Sequence, residues 1–150
     1  MDMWKCHSEH KPLPIADEDS LVFWESCRRH RLVVQQCLAC DRYRFPPSPL
    51  CPVCLSPRAA WREDPGRGEI ETFCIYHAAL AGPAWEAGLP YVVAVVRLEH
   101  SGVQILSQIR CDDPDAIAIG LAVQVVFETA SEQVVLPKFA PLASRMANDG

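Results

Sequence analysis

The apolar positions of this chain change their spacing twice. Between Asp17 and Arg31 they recur at Leu21, Trp24 and Cys27, three residues apart, which predicts a short amphipathic helix within 17–31 with those side chains on one face. The segment opens with Asp17, Glu18 and Asp19 and closes with Arg28, Arg29 and His30, an order that complements the helix dipole at both ends. Trp24 then anchors the helix to the chain's own core or to a partner. From residue 32 the helical spacing disappears. Residues 32–36 and 42–45 read as two short strands of one hairpin. Behind them Pro46, Pro47, Pro49 and Pro52 exclude both a helix and a central strand.

From Gly66 onward, short apolar runs separated by turn residues predict strands at 69–77, 91–99, 103–110, 123–129 and 134–137. In the first of these Ile70, Thr72 and Cys74 alternate with Glu71, Phe73 and Ile75, so the strand is expected to bury much of both faces. His100, Ser101 and Gly102 make the turn between two strong strands, with His100 exposed. Residues 78–90, marked by Gly82-Pro83 and Gly88-Leu89-Pro90, form a long loop of the kind that tends to carry function. Residues 111–120 form a second loop with room for one helical turn. Five strands in this compass predict a small barrel, for which the OB-fold is a common solution. The expected organisation is mainly β: a flexible or partner-dependent arm (1–16), the helix (17–31), a cysteine-rich module (32–65), the barrel (66–141) and a tail (142–150).

At 150 residues and 49% hydrophobic, the chain suits one domain or two small modules. No apolar run approaches the roughly 18 residues of a membrane span. The start, M-D-M-W-K-C-H-S-E-H, lacks the cationic and apolar regions of a signal peptide, so reduced cysteines in a cytoplasmic setting are expected. A net charge of −5 with three lysines argues against general DNA coating. That charge is uneven. Residues 28–67 hold eight arginines and no lysine against Asp41, Glu63 and Asp64, between two acidic neighbours. Arginine's planar fork suits phosphates and carboxylates, although a solvated surface is the plainer reading.

Four of the eight cysteines stand as Cys37-x-x-Cys40 and Cys51-x-x-Cys54. Two such pairs can present the four thiolates of a tetrahedral zinc shell, with disulfides or a single rubredoxin-like iron as alternatives. Four thiolates leave no open position, so the metal would be structural. After each pair Asp41 and Leu55 stand where the backbone turns left-handed and glycine is usual; aspartate tolerates that conformation moderately, leucine at a steric cost. The second knuckle is therefore expected to be strained or weakly metallated. Cys6, Cys27, Cys74 and Cys111 have no such partner. Cys74 and His77 are three apart on a strand and face opposite sides, so Cys74 reads as a packed core thiol. No Ser/His/Asp arrangement, phosphate-cradling glycine loop or carboxylate pair supplies an active site.

The order of the pieces is more specific than any one of them. A helix with F-W-E leads through L-V-V-Q to C-x-x-C, F-P-P and C-P-x-C; then follow G-R-G-E-I, P-Y-V-V-A-V-V-R-L, I-G-L-A-V-Q-V-V-F and a terminal P-K-F-A-P. Over about residues 14–141 this closely resembles the family of zinc-ribbon/OB-fold proteins associated with acyl-CoA enzymes. The resemblance implies a non-catalytic accessory subunit of thiolase-like enzymes: acyltransferases, hydroxymethylglutaryl-CoA synthases, or aldolases of steroid side-chain degradation. Such a subunit would bind the coenzyme A part of a thioester and dock the catalytic partner. Cys37, Cys40, Cys51 and Cys54 match the family's structural zinc ligands. Arg28, Arg29, Arg42 and Arg44 become candidates for the CoA phosphates, on charge and not on a family motif. Trp24, Trp85, Tyr91 and Phe139 are candidates for ligand or partner contact. The plainer readings are a loop anchor for Trp85 and a terminal plug for Phe139, and Trp61 would cover the ribbon–barrel junction. The alternative function is a single-stranded nucleic-acid module, against which the acidic second half of the chain argues. A self-sufficient thioesterase lacks a nucleophile and base.

Overall fold

The computed structural model describes residues 10–142. The expected arm up to residue 9, with Cys6, and the tail beyond Leu142 lie outside the described residues. One helix, α1 (Leu21–Arg28), precedes eight strands: β1 (Leu32–Cys37), β2 (Tyr43–Arg44), β3 (Ala59–Asp64), β4 (Arg67–Tyr76), β5 (Tyr91–Leu98), β6 (Gln104–Ile109), β7 (Ala122–Thr129) and β8 (Val135–Pro141). β2, β1 and β3 form a small antiparallel sheet, and β4-β5-β6-β8-β7 close into a barrel. This is the mainly β, helix–ribbon–OB architecture that the sequence implies. No described helix is long and apolar enough to cross a membrane.

The helical turn begins at Asp17. Its carboxylate accepts from the Ser20 N–H at 2.8 Å, while the Ser20 hydroxyl accepts from the Asp17 N–H at 3.1 Å, a reciprocal cap. The buried face differs from the expected one. Phe23 and Cys27, one turn apart, are buried, Trp24 is half-buried and Leu21 is exposed. The helix packs against both β1 and β8, and Phe23 meets Phe45 at 5.2 Å and Trp24 at 5.0 Å between ring centroids. One buried cluster therefore runs from Phe23 and Cys27 through Leu32, Val33 and Val34 into Ile70, Val92, Val96, Val123 and Phe139 of the barrel.

β4 corrects a second expectation. Its register shifts between Ile70 and Thr72, a β-bulge that reverses which side chains face inward. Ile70 is buried before it; beyond it Phe73 and Ile75 pack on the core, while Thr72 and Cys74 are exposed. The strand thus buries one face, and Cys74 is a surface thiol, not a core one. β3, which the sequence did not reveal, pairs with β1 along its whole length, from Leu32↔Asp64 to Cys37↔Ala59. It passes into β4 at a fixed corner. The buried Asp64 carboxylate accepts from the Gly66 N–H at 2.8 Å and the Ser101 N–H at 3.2 Å, tying the ribbon to the β5–β6 hairpin. Trp61 is half-buried against the core just before that corner.

Candidate functional site

The two cysteine knuckles repeat one backbone pattern. Asp41 N–H bonds to Cys37 O at 3.0 Å and Leu55 N–H to Cys51 O at 2.9 Å; Cys37 N–H bonds to Arg42 O at 2.9 Å and Cys51 N–H to Ser56 O at 3.0 Å. Both turns require the left-handed region, and Asp41 and Leu55 occupy it at φ 61° and 59°. The four Sγ atoms lie within 4.8 Å of one another, with 3.6 Å from Cys37 to Cys54 and 3.7 Å from Cys40 to Cys51. A tetrahedron with zinc–sulfur bonds of about 2.3 Å has edges of about 3.8 Å, so the donor set fits zinc. Backbone amides point at the sulfurs: the N–H groups of Cys54 and Val53 hold the Cys51 thiol down to about 6, and those of Cys40 and Ala39 lower the Cys37 thiol. These four residues would hold the ion. Once bound, zinc in a closed thiolate shell supplies folding energy.

The arginine candidates separate. Arg28, Arg29 and Arg42 are exposed and make no ion pair among the described residues. Arg44 is buried. Its Nε donates to Gln35 Oε1 at 2.7 Å and its Nη2 to Ser48 O at 2.8 Å, while Gln35 Oε1 also accepts from the Ser48 N–H at 2.9 Å. Arg44 therefore ties β1 to the proline-rich return of the ribbon.

The aromatic candidates also separate, and two of them meet. β6 and β8 pair at a single backbone position, Ile109↔Phe139, and over the preceding residues side chains bridge the seam, with Ser107 Oγ donating to Pro137 O at 2.7 Å. There lies a cleft of about 920 Å³, bounded by β6 and β8, the aromatic side of α1, residues 10–13 and the 3-10 turn Pro83–Gly88. Trp24, Trp85, Phe45, Leu106 and Leu136 make it largely apolar. Trp85 rests on Tyr91 at 5.2 Å, which stacks on Tyr76 at 4.9 Å, and the Lys11 ammonium sits 4.6 Å from the Trp85 ring. Tyr91 is thus a buried support, and Phe139 is a fully buried plug of the barrel. The polar part of the cleft centres on Lys138, which is buried and donates to Gln108 Oε1 and Glu128 Oε1, each at 2.7 Å. Burial alone would raise the Glu128 pKa, but Lys138 and Arg110 hold it below 4.5.

Sequence reasoning missed Phe45, Leu106, Glu128 and Lys138 on this cleft. Two signals were present: Leu106 alternates outward from Ile105, and Lys138 is the only lysine after Lys11.

With the geometry in place, comparison with known proteins is decisive. Residues 24–59 match the family model described as the ChsH2 rubredoxin-like zinc ribbon domain, and residues 61–128 match that of the ChsH2 C-terminal OB-fold domain. A DUF35 domain-containing scaffold protein of Methanothermobacter thermautotrophicus is 34% identical over 109 residues, 71% of this chain and 78% of that protein. The chain belongs to the DUF35 family. A probable enoyl-CoA hydratase alpha subunit of Thermomonospora curvata is 34% identical over 131 residues, 87% of this chain but 40% of that subunit. This DUF35 chain thus spans about two fifths of that relative's length. Among solved structures, a chain of the Ltp2-ChsH2(DUF35) aldolase superposes with a TM-score of 0.77 at 34% identity, covering 86% of this chain and 98% of that one.

Proposed function

We propose that this DUF35 chain is a non-catalytic accessory subunit that binds the coenzyme A portion of an acyl-CoA and docks a thiolase-like aldolase or acyltransferase. The observation that carries the reading is the convergence of Trp24 and Trp85, from separate elements, on one apolar cleft at the barrel seam. A thin pantetheine arm fits such a cleft, and its amides can exchange hydrogen bonds with Gln108 and the Lys138–Glu128 pair. Arg28 lies four positions after Trp24, one helical turn along the same face, where an exposed guanidinium suits a phosphate. Arg29, next to Arg28, completes the phosphate candidates on this side; Arg42 lies in the first knuckle and Arg44 serves the ribbon. The partner's chemistry is supported by the similar chain of the Ltp2-ChsH2(DUF35) aldolase, and its thiolase-like character by the sequence resemblance. A cytoplasmic setting suits both the CoA thioester and reduced cysteines. Holding the thioester for the partner's catalytic groups contributes through positioning.

Titration calorimetry of octanoyl-CoA into the complex of this chain with an Ltp2 aldolase subunit tests the reading. Trp24→Ala with Trp85→Ala should weaken binding at least tenfold. Arg28→Ala with Arg29→Ala should weaken it more at low salt than at high salt. Unchanged affinity in both would overturn the CoA assignment. Tight binding of a single-stranded oligonucleotide instead would favour the nucleic-acid alternative.

A further inference from the structure

The ribbon carries a surface that CoA binding leaves unused. Leu38, Leu50, Val53 and Leu55 are 44%, 48%, 57% and 70% exposed. Each is next in sequence to a zinc-ligand cysteine: Leu38 follows Cys37, Leu50 precedes Cys51, and Val53 and Leu55 flank Cys54. Convergence of the four sulfurs within 4.8 Å places these four exposed residues next to one site.

Leu55 is the informative member. Its backbone sits at φ 59°, where a Cβ is penalised and glycine is not. A leucine can offset that strain by packing inside its own chain, but this side chain is largely in solvent. The knuckle requires this conformation but not a leucine, and the exposed side chain gains nothing inside the fold that glycine would not give; a strained residue kept without internal packing points to a contact outside the chain. The surroundings are cationic. Arg42 and Arg58 are exposed without an ion pair among the described residues, Arg62 is exposed and bonded to Gln36, and Asp41 is the only acidic residue from 26 to 62. An apolar centre with an arginine rim on a metal-fixed backbone has the anatomy of an interface, and rigidity lowers the cost of ordering it.

We infer that this ribbon tip is the surface on which the partner enzyme docks, and that the complementary face of the partner is an apolar patch ringed by aspartate and glutamate carboxylates. The inference rests on the docking half of the function proposed above and separates it from the ligand cleft. A second copy of this chain is the wrong occupant, because it would set arginine against arginine.

The test measures affinity for purified Ltp2 aldolase subunit by surface plasmon resonance, using the full zinc-loaded chain. Leu55→Gly removes the side chain and also relieves the backbone. It is expected to keep its zinc and melt no lower than the parent, yet bind Ltp2 at least tenfold more weakly. Ile119→Ser removes an equally exposed apolar side chain, 70%, from a barrel loop and should bind as the parent does. Arg42→Glu with Arg58→Glu should slow association and reverse its salt dependence. Parent-like binding by Leu55→Gly and the double arginine variant would overturn the tip assignment while leaving docking intact. Sedimentation showing a parent dimer that Leu55→Gly abolishes would overturn it in favour of self-association. If the parent chain itself does not bind Ltp2, the docking reading fails and this inference falls with it.

Discussion

Arg42 and Arg44 stand two positions apart, and the difference between them shows what a charge census leaves out. Composition identifies both as members of a basic island; only the return of the chain decides that Arg44 lies between Gln35 and Ser48 while Arg42 remains in water. Replacing Arg44 with methionine keeps the volume but leaves Ser48 O without its donor and Gln35 Oε1 with the Ser48 N–H alone. The expected loss is about 2 kcal/mol in urea unfolding, against about 0.5 kcal/mol or less for Arg42→Ala. Equal effects would return Arg44 to the surface. The left-handed positions were legible, because a C-x-x-C knuckle dictates the conformation whatever residue fills it, and Asp41 and Leu55 both adopt it. Glu128 shows the reverse, since its partners lie on other strands. Lys138 and Arg110 hold its pKa below the ordinary value of 4.5, so the pair contributes stability that is full above about that pH and is lost as acid protonates the carboxylate below it. Thermal melts from pH 7 to pH 3 should therefore fall less steeply for Lys138→Met than for the parent chain, because the variant has already lost the pair.

Among the elements, those with a strong period were legible and those fixed by a neighbour were not. The strand from Tyr91 to Leu98 was plain from its continuous apolar run. β3 was not, because A-A-W-R-E-D has no apolar alternation; it is a strand because β1 offers it an edge. The bulge in β4 was hidden for a related reason: alternation shows a period but not where that period slips by one. The helix stripe was misread by one position, since Leu21 satisfies the spacing as well as Phe23 does, and only the contact with Phe45 chooses between them. The strand start G-R-G-E-I was visible as a motif, and the structure gives its reason. A Cβ on Gly68 would lie 2.4 Å from the Arg97 carbonyl oxygen and 2.9 Å from a Val96 methyl, and neither backbone nor packed core yields cheaply. Gly68→Ala should therefore cost about 3 kcal/mol and disturb the β4–β5 pairing, read as a lower urea midpoint and faster amide exchange at Glu99, whose N–H bonds to Arg67 O at 2.9 Å across that pairing. Gly102→Ala, where no neighbour lies within 4 Å but φ is 73°, should cost about 1 kcal/mol through backbone strain alone.

At the scale of the molecule, the ribbon is held in two different ways. The β1 residues Leu32, Val33 and Val34 belong to the same buried cluster as the barrel and α1, whereas the knuckles lie outside it, with Cys37 and Cys51 buried around the ligand site itself. Core packing thus fixes the base of the ribbon, and metal ligation fixes its tip. Removing zinc with a chelator should divide the molecule along that line. Hydrogen exchange is expected to rise at the amides of Cys37, Asp41, Cys51 and Leu55, whose bonds close the knuckles, and to stay slow at Val92 and Val96 in the barrel. If the proposed docking and ligand roles are right, the same treatment should abolish affinity for an Ltp2 aldolase subunit while octanoyl-CoA still quenches Trp24 and Trp85, because the cleft is built from elements the core retains. Uniform loss of protection across both regions would mean that zinc stabilises the whole fold as one cooperative unit, and the division of labour between tip and cleft would then have no structural basis.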